Sequence, residues 1–143
     1  MTSDAQLARR LQQPAEAGIH RLPPGDARAT AAAAQALGYA VFHVDMDGCA
    51  DKAALLARIA AALRFPDWFG HNWDALADCL GDMSWRPATG YVIFLDHADR
   101  LPAGAVADFA IALDVCADAA RELAREGRPM WIVVAAGGGP PSP

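Results

Sequence analysis

The sequence predicts an α/β fold: a small three-stranded parallel sheet packed with helices. Three runs carry that expectation, Tyr39–Asp45, Tyr91–Leu95 and Met130–Ala135. Each is short, rich in β-branched and aromatic residues, and apolar on both faces, the pattern of strands in a parallel sheet. Long helical patterns separate them, as crossovers between parallel strands require. With 143 residues, 54% of them hydrophobic and 20% charged, the chain has the length and composition of one globular domain.

The elements follow in order. Residues 1–17 are polar and rich in Ala and Gln, a frayed helix or a tail. Gly18–Leu22 reads as a short edge strand closed by Pro23-Pro24-Gly25, so that residues 1–25 form an N-terminal tail or edge extension. Asp26 is positioned to cap a helix through Leu37, with Gly38 where a C-terminal glycine belongs, which adds a possible extra N-terminal strand–helix unit. In the next helix Asp51 is the cap, and Leu55, Leu56, Ile59 and Leu63 form one stripe. Asn72 caps a second, burying Ala75, Leu76, Cys79 and Leu80. The third spans about Pro102–Glu126, ends at Gly127, and is expected to bury Val106, Phe109, Leu113, Cys116, Ala120 and Leu123. Residues 26–136 then make a single α/β domain, and 137–143, three glycines before Pro140-Pro-Ser-Pro143, a disordered tail.

Charge narrows the functional classes. The net charge is −5, of which Phe65–Trp85 supplies −4, through Asp67, Asp74, Asp78 and Asp82 with no Lys or Arg. Direct binding of nucleic acid needs Lys and Arg to neutralise phosphates, so a basic protein is the expected partner. Cys49, Cys79 and Cys116 have helical, apolar neighbours and no metal-ligand spacing; they read as reduced, mostly buried thiols. No apolar segment follows Arg9 and Arg10 as in a secretory signal, and no run reaches the roughly 18 apolar residues of a membrane helix. A cytoplasmic protein is expected.

On a helix starting after Asn72, Asp74, Asp78 and Asp82 stack at i, i+4 and i+8 on one face. Like charges so spaced cost roughly 0.2–0.5 kcal/mol per pair. A solvated acidic face is the common reason for such a pattern. Here no Lys or Arg lies three or four residues from Asp78, and Trp68, Phe69, Trp73 and Trp85 border the acids. Aromatic rims are typical of interfaces, and Gly70 offers a sharp turn into the helix. Catalysis fares worse. His71 and Cys79 lie about 12 Å apart along a helix axis, beyond proton-transfer reach. His71, Asp74 and Asp78 share a face but make a poor metal set, and Gly137-Gly-Gly139 leads into no helix. No catalytic residue, cofactor or metal is expected.

The segment Phe65-Pro-Asp-Trp-Phe-Gly-His-Asn-Trp-Asp-Ala-Leu-Ala-Asp-Cys-Leu80 resembles the signature of the barstar family, intracellular inhibitors of barnase-type secreted ribonucleases. The match runs through Trp68, Phe69, Gly70, Asn72, Asp74, Ala75, Leu76, Asp78, Cys79 and Leu80, and the order of elements from Tyr39 to Ala135 agrees with it. The resemblance implies a 1:1 complex of a monomer with a basic ribonuclease, whose active site the loop and acidic helix plug. It gives Asp78 the place of the substrate phosphate among the enzyme's arginines, Asp74 a neighbouring basic residue, Trp68 the catalytic histidine to stack on, and Glu122 a contact near the end of the last helix. Phe69, Gly70, Asn72, Trp73 and Asp82 complete the implied binding surface. Departures are Trp68 in place of a tyrosine, Ala77 in place of an aromatic between the two motif acids, His71, and the Gly81–Arg86 segment. A different cationic client, such as another nuclease toxin or a nucleic-acid-binding protein, is the alternative.

Overall fold

The computed structural model describes residues 2–23, 25 and 27–136. Among them are five α-helices and four strands: α1 (Asp4–Arg10), β1 (Gly18–Leu22), α2 (Arg28–Ala36), β2 (Ala40–Asp45), α3 (Lys52–Leu63), α4 (Trp73–Asp82), β3 (Tyr91–Asp96), α5 (Val106–Arg125) and β4 (Met130–Ala135). The sheet is fully parallel in the order β1-β4-β3-β2, so the expected three strands gain a fourth at the edge, where Gly18–Leu22 pairs with β4.

The order explains the layering. The chain crosses from β1 at one edge to β2 at the other, then walks back through β3 to β4. Right-handed crossovers in opposite directions place their helices on opposite faces. Accordingly α3, α4 and α5 pack on one face, over Phe42, Val44, Ile93, Leu95, Ile132 and Val134. On the other face α1 and α2 cover Val92, Phe94, Trp131 and Val133, all fully buried, with Leu7, Leu11 and Ala34.

Residues 2–17 therefore do more than the expected frayed helix or tail would. Ser3 caps α1 in a capping box with Gln6, and Leu7 and Leu11 are fully buried. Asp26 lies outside the described residues, and Ala27, which occupies the cap position of α2, offers no side-chain bond. The cap comes instead from α1: the Asp4 carboxylate accepts from the backbone N–H of Ala29 and of Thr30, both at 2.9 Å, and from the Thr30 hydroxyl at 2.6 Å. Asp51 and Asn72 cap α3 and α4 as expected, by accepting from the N–H of Ala54 and Ala75.

The last helix differs from its expected course. A 3₁₀ turn, Ala103–Ala105, precedes α5 and rotates Val106 outward, leaving it 55% exposed, not buried. Phe109, Leu113, Cys116, Ala120 and Leu123 are buried as expected. Residues 137–143, expected to be a disordered tail, lie outside the described residues. Among the described residues no helix is long and apolar enough to cross a membrane.

Asp4→Ala is expected to lower stability by about 1–2 kcal/mol, the value of a helix cap, and Leu7→Ala by about 2–5 kcal/mol, the value of a buried leucine. Urea denaturation measures both; no change in either variant would mean that α1 is not part of the folded unit.

Candidate protein-binding face

Two features of the local chain build the face. The first is a tight turn: the Phe69 N–H donates to the Pro66 carbonyl at 3.0 Å, which puts Asp67 and Trp68 at the tip. Trp68 projects and is 59% exposed, the most exposed large hydrophobic side chain among the described residues. Phe69 goes the other way. It is only 7% exposed and meets Phe65 edge-on at 4.9 Å, while Phe65 meets Trp85 at 5.3 Å. Phe69, expected at the binding surface, is thus an internal anchor of the loop. Its buried ring holds Trp68 outward.

The second feature is the entry into α4. The left-handed residue is His71 (φ 53°), not Gly70. A Cβ at Gly70 would meet only ordinary contacts, Asn72 Nδ2 at 3.4 Å and Ala75 Cβ at 3.7 Å, so Gly70 is not what makes the turn. Histidine enters the left-handed region more readily than most residues. Asn72 is occupied as the cap. Trp73 is half-buried against the core, with the Lys52 ammonium 5.5 Å from its ring centre. Trp85 is also half-buried and its indole N–H donates to the Cys79 carbonyl at 3.3 Å.

With Leu76, Cys79 and Leu80 buried, the opposite side of α4 carries the acids outward. Asp74 and Asp78 are exposed, and their carboxylates have no hydrogen bond or ion pair with other described residues. Asp82, the last residue of α4, accepts from the Ser84 hydroxyl at 2.8 Å. Because α4 packs on α5, Glu122 arrives at the same place: Trp68, Ala77, Asp78, Gly81, Asp82 and Glu122 line one open cleft of about 570 Å³. Asp74 lies outside this cleft, in the exposed first turn of α4. The cleft owes its room to Ala77 and Gly81, which put no bulk between Trp68 and the acids. Arg125, whose guanidinium lies 3.2 Å from the Glu122 carboxylate, carries no signal in the sequence pattern. That pair is exposed and worth little, so Glu122 stays available.

Burial pushes the Cys116 thiol up to about 12, and desolvation, with Asp78 and Asp82 adding to it, pushes Cys79 up as well. Desolvation likewise raises Cys49. Thiols so placed are poor nucleophiles. In the native state at pH 7.5 all three are expected to resist iodoacetamide, and to react once urea unfolds the chain; rapid native alkylation, read by mass spectrometry, would contradict their burial. Phe69→Ala is expected to cost about 3–5 kcal/mol in urea denaturation and Trp68→Ala no more than about 0.5 kcal/mol. The reverse ranking would place the wrong aromatic in the core.

No curated protein matches the chain. A family model does: Barstar, described as Barstar (barnase inhibitor), matches residues 39–135 and so takes in the whole loop, α4, Glu122 and every strand but β1. The chain belongs to the barstar family.

Proposed function

We propose that this chain inhibits a basic ribonuclease by filling its active site with Trp68 and the acidic side of α4. The observation that carries this reading is the convergence of Trp68, Asp78, Asp82 and Glu122 on one open cleft, with Asp78 unpaired among the described residues. Arginine binds carboxylates through paired N–H groups, as it binds phosphates, so a carboxylate held on a rigid helix imitates an anionic substrate. Asp78 is the phosphate mimic, Asp74 meets a basic residue at the rim, and Trp68 lies flat against a ring of the enzyme. The protein is a binder without catalysis of its own, acts as a monomer in a 1:1 complex, and works in the cytoplasm, where its three free thiols stay reduced.

The open floor at Ala77 and Gly81 favours a second reading, in which the same face holds a different cationic client with a bulkier side chain to seat there. Both readings depend on the same carboxylate and differ in the partner.

Titration into a barnase-type ribonuclease assay tests the first. RNA cleavage is expected to fall to zero at one equivalent, and Asp78→Ala to weaken inhibition at least tenfold, about 1.4 kcal/mol. Raising salt is expected to slow association more than it speeds dissociation. Absence of inhibition by the folded wild type would discard the ribonuclease as client.

A further inference from the structure

The edge of the sheet formed by β2 is open. The Ala40 N–H donates to the Gly90 carbonyl at 3.0 Å and the Met46 N–H to the Asp96 carbonyl at 2.8 Å. Even-numbered residues of β2 thus bond to β3, and the N–H and C=O groups of Val41 and His43 point away from the sheet. Among the described residues no other group bonds to these four. A row of unpaired backbone groups is a template for another strand.

Two clefts lie along this edge and share Ala62 as a wall. One, of about 450 Å³, is lined by Val41, Phe42, Arg64, Trp85 and Arg86; the other, of about 530 Å³, continues past His43 to Asp45. The charges at the two ends differ in kind. At the far end Asp45 lies 2.9 Å from His97 Nδ1, Asp47 lies 3.3 Å from Arg100, and Arg58 donates to the carbonyls of Asp45 and Asp47. At the near end Arg64 and Arg86 are exposed, and neither guanidinium makes a hydrogen bond or ion pair with another described residue; Arg86 sits 5.9 Å from the Phe42 ring centre. On a chain of net charge −5, this is an unbalanced cationic spot beside an open strand.

We propose that the groove along β2 takes an extended acidic segment of a partner protein. The segment adds a fifth strand to the sheet and sets a carboxylate against Arg64 and Arg86. Main-chain bonds to Val41 and His43 supply the affinity common to strand addition, and the arginines select the charge. A polynucleotide lacks the alternating donors and acceptors that the edge offers, which is why a polypeptide is the occupant. The groove shares no lining residue with the Asp78 cleft, so this surface is separate from the inhibitory one.

The probe is a fluorescent eight-residue peptide of alternating Val and Glu, titrated by anisotropy against the full chain. Saturable binding is expected, with hydrogen exchange slowed at the amides of Val41 and His43. Arg64→Glu with Arg86→Glu, the same peptide with Lys for Glu, and the peptide N-methylated at alternate amides are each expected to bind at least tenfold more weakly. Both arginines are exposed, and a thermal melt verifies that the variant is folded. Absence of saturation would overturn the proposal, as would binding that survives N-methylation or tighter binding of a single-stranded oligonucleotide. Slowed exchange at those amides on raising protein concentration alone would also overturn it, by assigning the edge to a second copy of the chain.

Discussion

Three carboxylates stacked on one side of α4 repel one another, and the way that repulsion is borne shapes the face around it. Each like-charged pair costs roughly 0.2–0.5 kcal/mol. On the other side of the same helix Leu76, Cys79 and Leu80 are buried, and a buried leucine contributes about 1.5–3 kcal/mol. Core packing therefore wins by a wide margin. The acids are held in place by hydrophobic contacts at their backs, and a cationic partner would relieve a repulsion that is already built in. Asn72 at one end of α4 and the left-handed Met83 at the other fix where the helix starts and stops, so the acids sit on a frame that needs no rearrangement.

The same reasoning extends to residues outside the family match. A parallel sheet with helices on one face would leave Phe94 and Trp131 in water. The reversal of direction after β2 obliges the N-terminal crossover to run on that face, and α1 and α2 fill it. The Asp4 cap ties the two helices together. The described residues before Tyr39 thus complete the hydrophobic core, and none of them lines the Asp78 cleft.

The strands and caps were legible because their signals are local. Apolar runs mark β2, β3 and β4, and Asp51 and Asn72 precede periodic leucines. What escaped the sequence depends on contacts distant in the chain or on backbone conformation. Helix α1 and its C-terminal cap offer only Leu7 and Leu11 as large apolar anchors, and their value appears when α2 lies beside them. Asp4 caps a helix 25 residues away, which no spacing rule reveals. Trp68 and Phe69 are adjacent and similar in chemistry; only the Pro66–Phe69 turn decides that one is exposed and the other buried. His71, not the neighbouring glycine, adopts the left-handed conformation, and Val106 turns outward because 3₁₀ geometry shifts the start of α5.

Substrate mimicry makes a claim about one pair of charges, and a double-mutant cycle reads that pair alone. Asp78→Ala in this chain would be combined with alanine replacement of each active-site arginine of a barnase-type ribonuclease, and the dissociation constants measured for all combinations. Asp78 is expected to couple to at least one of those arginines by about 1.4 kcal/mol or more, a tenfold effect beyond additivity. Additivity within about 0.3–0.5 kcal/mol for every arginine, in a complex that still forms, would contradict it.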